Sequence, residues 1–159
     1  MEKHDEVLVA LRQIIRAIDM HSRRLIKEAG LTSPQLLLLK GIDELGQISM
    51  RQLADHTNMS QATATTIMDR LESRQLVQRV RSNTDKRKVH ATLTDAGRAL
   101  LAEAPTPLQE RFIQRFQALE TWEQTLLLSS LQRISAMMNA DEIDAAPVLS
   151  VRPLTEEQA

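Results

Sequence analysis

Between Ser60 and Lys88 the chain gathers side chains of one chemical kind: short hydroxyls, carboxamides and cations. Gln61, Thr63, Thr65, Thr66 and Arg70 are spaced to lie on or beside one face of a helix, and Lys86-Arg87-Lys88 follow on a polar tip between two short strands. Threonine presents a hydroxyl together with a methyl, and Gln and Arg can each make paired hydrogen bonds to a planar edge, a combination that suits the edges of nucleic-acid bases. Between Arg70 and Lys88 stand seven Lys or Arg residues (Arg70, Arg74, Arg79, Arg81, Lys86, Arg87, Lys88) against two acids, Glu72 and Asp85, while the whole chain has a net charge of −1. The basic charge is therefore segregated. Such a patch lowers the cost of approaching phosphates and makes affinity fall steeply with salt.

The elements that must position these groups are legible one by one. Ser49 and Gln52 have capping-box spacing, and Leu53-Ala54 continue an apolar face until Thr57-Asn58-Met59-Ser60 breaks it. Asn58 tolerates a left-handed turn, and Ser60 can cap a second helix from Gln61 to about Gln75. At a 3.6-residue period that helix puts Ala64, Ile67, Met68 and Leu71 on one face. Ala62, Thr65, Thr66, Asp69 and Ser73 fall opposite, flanked by Gln61, Thr63 and Arg70. A plain solvated helix normally carries Lys and Glu on its outer face; this one does not. Val77–Arg81 and Val89–Leu93 then read as a hairpin whose tip is Asn83-Thr84-Asp85-Lys86-Arg87-Lys88. The outline is a helix-turn-helix with a second helix built for a DNA major groove.

Long helices flank this unit. From Glu2 to about Ala29 no Pro or Gly interrupts a stripe of Val7, Leu8, Leu11, Ile14, Ile15, Ile18, Leu25 and Ile26, and Gly30 ends it. Thr32 or Ser33 caps the next helix, with Pro34 in its first turn, and Gly46 closes it. Thr94 caps a helix running toward Leu119 that Pro105 and Pro107 should interrupt. A last helix from about Thr121 carries Leu127, Leu131, Ile134 and Met138 on one face. The fold expected is mainly α with a small β-hairpin wing. It divides into an N-terminal dimerisation helix (1–30), a winged helix-turn-helix (31–103), C-terminal dimerisation helices (104–140) and an acidic, mobile or lightly docked tail (141–159). One winged domain cannot cover all the terminal apolar faces, and a symmetric homodimer is the commonest solution.

Residues 31–103 resemble the winged helix-turn-helix of the multiple-antibiotic-resistance regulator (MarR) family. The matching segments are Leu31-Thr32 with Gln35, Leu53-Ala54, Ser60-Gln61-Ala62-Thr63, Asp69-Arg70-Leu71-Glu72, Leu76-Val77, Asp85-Lys86-Arg87-Lys88 and Leu93-Thr94-Asp95-Ala96-Gly97, in order and at the family's spacing. The resemblance implies a bacterial transcriptional regulator that binds pseudo-palindromic double-stranded DNA as a homodimer, usually a repressor released by a small-molecule effector. It also implies that Arg87 reaches into the minor groove and that Asp85 organises the wing by ion pairing. In relatives that bind aromatic acids, the ligand lies between the dimerisation helices and the winged domain; the corresponding positions are Arg16 and Ser33, with His21 one turn and a half beyond Arg16. His21 reads either as a satisfied interface histidine or as part of that pocket. The runs Trp122–Leu128 and Asp144–Leu149 also resemble a subgroup associated with osmolyte (ectoine) synthesis genes, which would imply a salt-stress signal.

Other classes find little support. There is no Gly-rich phosphate loop and no nucleophile elbow, and His4, His21, His56 and His90 have no metal-type spacing, so neither an enzyme nor a cofactor or metal site is expected. With no cysteine, disulfides and thiol sensing are excluded. No signal-peptide pattern opens the chain and no apolar run approaches the ~18 residues needed to span a bilayer, which leaves a cytoplasmic protein with no membrane partner as the expectation. The alternative function, a winged protein-interaction module without specific DNA binding, would call for an apolar or acidic outer face on the Gln61–Gln75 helix, and the sequence offers hydroxyls there instead.

Overall fold

The computed structural model describes residues 2–152. Its elements in order are α1 (Lys3–Ala29), α2 (Ser33–Leu45), β1 (Ile48–Ser49), α3 (Met50–Thr57), α4 (Gln61–Ser73), β2 (Val77–Arg81), β3 (Val89–Leu93), α5 (Asp95–Glu103), α6 (Leu108–Gln117) and α7 (Thr121–Met137). Local chemistry sets most of these boundaries. Gly30 stops α1 at φ 62°, in the left-handed region where a side chain would be strained. Thr32, not Ser33, caps α2, its hydroxyl accepting the Gln35 N–H while Gln35 returns the bond to the Thr32 N–H. Thr94 caps α5 by accepting the Gly97 N–H at 3.0 Å. Pro105 and Pro107 divide the expected long helix into α5 and α6, because proline lacks the N–H that the next helical turn needs and biases the residue before it away from the helix.

The hairpin is part of a three-stranded antiparallel sheet, β1-β3-β2. In the register, Val77 faces Leu93 and Arg81 faces Val89, while Ile48 and Ser49 pair with Ala91 and His90 on the other edge of β3. β1 is two residues long, too short for any alternation to announce it. The core lies between α2, α3, α4 and the sheet. Leu36, Leu38, Leu39, Ile42, Leu53, Ile67, Met68, Leu71 and Val77 are fully buried, joined by Leu25 and Leu31 from the α1–α2 corner. Each such side chain contributes about 1.5–3 kcal/mol through burial.

The terminal helices are different. α6 and α7 have no buried residue, and Ile15, Trp122 and Leu126 are 57%, 67% and 58% exposed. An apolar face so open would be unfavourable in water without a covering surface. The start of the tail is docked. Val148 packs against the core, and the Leu149 N–H donates to Gln109 Oε1 at 3.2 Å. The rest of the acidic stretch, from Pro153 to Ala159, lies outside the described residues.

Candidate nucleic-acid interface

The two helices α3 and α4 are set against each other by Asn58, whose φ of 52° and ψ of 35° make the left-handed corner, and by Ser60, whose hydroxyl accepts the Thr63 N–H at 3.1 Å. Ala64, Ile67, Met68 and Leu71 are buried beneath α4, so the opposite face is turned outward by packing and not by polarity alone. Gln61, Ala62, Asp69 and Ser73 are exposed; Thr63, Thr65, Thr66 and Arg70 are half-buried. The hydroxyls are already oriented. Ser60 donates to Thr63 Oγ1 at 2.8 Å, and Thr66 donates to the Ala62 carbonyl at 3.0 Å, which leaves each threonine oxygen with accepting capacity and a methyl to offer. α4 ends at Ser73, two residues before the boundary expected, where Gln75 turns the chain at φ 59°.

The basic patch is smaller than the count of cations suggests. Arg79 on β2 is spent inside the fold, pairing with both Asp69 and Glu72 of α4, and its N–H also points to Glu72 Oε1 at 3.4 Å. Burial would lower the Arg79 pKa, but hydrogen bonding and charge from Asp69, then Glu72, override it and hold the guanidinium above its ordinary range. Arg74 is likewise engaged, donating to the Gly30 carbonyl at 2.7 Å. Arg70, Arg81, Lys86, Arg87 and Lys88 make no ion pair among the described residues. The Arg79 pairing was missed because its partners come from a different element. A signal existed in Asp69 and Glu72, two acids three apart on one helix face followed by an arginine on the next strand.

At the wing tip the Asp85 carboxylate bonds to the backbone. Asp85 makes no ion pair among the described residues; its Oδ1 accepts the Arg87 N–H at 3.0 Å, and its carbonyl accepts the Lys88 N–H at 2.9 Å. The carboxylate therefore shapes the backbone under Arg87 as an Asx turn and leaves the guanidinium free. Ser82 adds a second fastening that sequence inspection passed over, its Oγ accepting from the Thr84 and Asp85 N–H groups at 3.3 and 3.4 Å. Lys86, Arg87 and Lys88 are all exposed.

The three residues expected to form a ligand pocket are not all together. His21 and Ser33 line one small cleft between α1, α2 and the start of α6, with Leu36, Leu108 and Leu149. Arg16 is exposed on α1 and does not line it, because it lies on a different side of that helix. The His21 Nε2 accepts the Leu108 N–H at 3.3 Å. Burial, then the positive charges of Arg111 and Arg24, lower its pKa and favour the neutral ring that this bond requires. Lys40 of α2 and Glu110 of α6 form an ion pair across the same junction. No cluster of three metal-ligating side chains occurs among the described residues, and none of their helices is long and apolar enough to cross a membrane.

Comparison with known proteins gives a consistent result. The sequence model described as "MarR family" matches residues 31–89. The HTH-type transcriptional repressor NicR of Pseudomonas putida is 34% identical over 113 residues, covering 70% of this chain and 69% of its own. The homoprotocatechuate degradative operon repressor of Escherichia coli is 27% identical over 141 residues, covering 89% and 95%. Among solved structures, Bordetella bronchiseptica BpsR, described as regulated in its DNA binding by 6-hydroxynicotinic acid, is 29% identical with a TM-score of 0.53, covering 82% and 98%.

Proposed function

The chain belongs to the MarR family, and from that premise we propose that it is a homodimeric, DNA-binding transcriptional repressor of a nearby operon, released by a small ligand and acting in the bacterial cytoplasm. In this reading Gln61, Thr63, Thr65, Thr66 and Arg70 meet base edges and flanking phosphates in the major groove, while Lys86, Arg87 and Lys88 engage the minor groove and backbone. Asp85 holds the wing tip in shape. The observation that carries the proposal is the pairing of Arg79 with Asp69 and Glu72, which fastens the wing strand to the recognition helix so that two DNA-reading surfaces move as one.

The open apolar faces of α1, α6 and α7 are the dimerisation surface, and dimerisation sets two recognition helices about one duplex turn apart, roughly 34–36 Å. The effector is a small aromatic acid, as the relatives that act on homoprotocatechuate degradation and respond to 6-hydroxynicotinic acid suggest. Its place is the cleft of His21 and Ser33, and Arg111 and Arg24 lie near enough to act on the charge of His21.

The test is fluorescence anisotropy with duplex from the protein's own upstream region against a scrambled duplex, across a salt series. Selective binding whose logarithm falls linearly with log salt is the expected result. Equal, weak binding to both duplexes and to fragments selected from the genome would overturn it.

A further inference from the structure

The docked part of the tail sits in the cleft where the effector is placed. Leu149 forms one wall of that cleft, opposite His21 and Ser33, and is held twice: by its own N–H on Gln109 Oε1 at 3.2 Å and by the packing of its neighbour Val148 on the core. With Leu149 in position the space left is ≈ 10 Å³, room for one water at most. The Ser33 Oγ beside it is buried and has no hydrogen-bond partner. That hydroxyl is open to a hydrogen-bonding occupant of the cleft. An occupant with an apolar body and one hydrogen-bonding group would fill the volume of Leu149 and satisfy that hydroxyl as well. The rest of the strap is short and acidic, with Asp141, Glu142 and Asp144 before it and two prolines, Pro147 and Pro153, around it. Apart from Ala146, Val148, Leu149 and Ser150, which are half-buried, its residues from Asp144 to Arg152 are exposed.

We propose that the Asp144–Arg152 segment is a displaceable strap whose Leu149 plugs the cleft, so that an amphipathic small-molecule acid enters only when the strap leaves. This rests on the effector-site reading above, and it makes the chain its own competitor. A site open only a fraction of the time has its apparent affinity weakened by that fraction.

The absence of cysteine allows a direct test. Ser33→Cys places a near-isosteric thiol at the orphaned hydroxyl, and dithiobis(nitrobenzoic acid), itself an aromatic carboxylate, reports its access by colour. The rate is compared in the full chain, in the full chain with Leu149→Ser, and in a chain ending at Ala140, each checked for folding by its thermal midpoint. If the cleft is open about a tenth of the time or less, the thiol of the full chain reacts roughly tenfold slower than in the other two. Equal rates, fast or slow, would overturn the strap. Operator binding by the same proteins is measured separately: its loss in all three would count against the regulator reading and leave the comparison of rates intact.

Discussion

Asp69 of the recognition helix and Arg79 of the first wing strand are joined across an element boundary, with Glu72 as the second arm of the same clasp. Asp69 faces outward and would repel a phosphate; paired with Arg79 it is neutralised where DNA would approach. Arg79→Met keeps the apolar stem and removes the clasp. Because Asp69 is largely exposed, the stability loss should be small, about 1 kcal/mol. Operator affinity should fall several-fold, yet the slope of log affinity against log salt should stay as it was, since Arg79 touches no phosphate. A slope reduced by about one would show that Arg79 is a DNA contact after all.

Arg87→Ala should behave in the opposite way. The residue is exposed, makes no ion pair among the described residues and sits on a tip fastened at its backbone, so folding should be untouched. Operator binding should weaken roughly tenfold and the salt slope should drop by about one. An unchanged titration curve would remove the wing from the mechanism.

Asp85 separates two accounts of the wing. If it acted through ion pairing, removing its charge would be enough to weaken binding. The structure shows a hydrogen bond from the Arg87 N–H instead, which an amide oxygen can also accept. Asp85→Asn should therefore keep operator affinity close to that of the parent, whereas Asp85→Ala should lose about 1 kcal/mol of it. Equal losses in the two variants, read by the same anisotropy titration, would restore the ion-pair account.

The contrast between these residues also explains what the sequence could and could not reveal. Caps at Ser49, Ser60 and Thr94, and that of α2 to within one residue (Thr32 or Ser33), were legible because each is a bond between neighbours three residues apart. The buried stripe of α4 and the limits of β2 and β3 followed from periodicity alone. Pairings between distant segments were not legible, β1 with β3, His21 with Leu108, and Leu149 with the α1–α2 junction, and that of Arg79 with α4 left only the spacing of Asp69 and Glu72 as a trace. Arg16 illustrates the limit from the other side. Its family position pointed to the ligand cleft, but a helix has several faces, and here the cleft formed on the one that carries His21.

Gly97 makes a purely steric prediction. A Cβ there would lie 2.0 Å from the Leu76 carbonyl oxygen, which is itself fixed by accepting the Thr94 N–H at 3.1 Å. The backbone cannot move away without breaking the junction between β2 and α5. Gly97→Ala should cost about 2 kcal/mol or more, seen as a lower urea midpoint with the slope unchanged. A midpoint equal to the parent's would mean that this junction is looser than drawn.

His21 ties the α1 helix to the start of α6 through a bond that only its unprotonated Nε2 can accept. Burial and the charges of Arg111 and Arg24 place its folded pKa below the ordinary 6.5. In the window between the two values the unfolded chain binds the proton that the folded chain refuses, so stability rises with pH there. The contribution is whole above about pH 6.5 and is lost progressively as the pH falls toward the folded value. Carboxylates titrate at lower pH and are common to any variant. His21→Gln keeps a side-chain acceptor that does not titrate, so its thermal midpoint should decline less than the parent's between pH 7.5 and pH 5.5, chosen as roughly one unit either side of the histidine value. Parallel declines in the two proteins would show that this histidine is not what fastens the junction against acid.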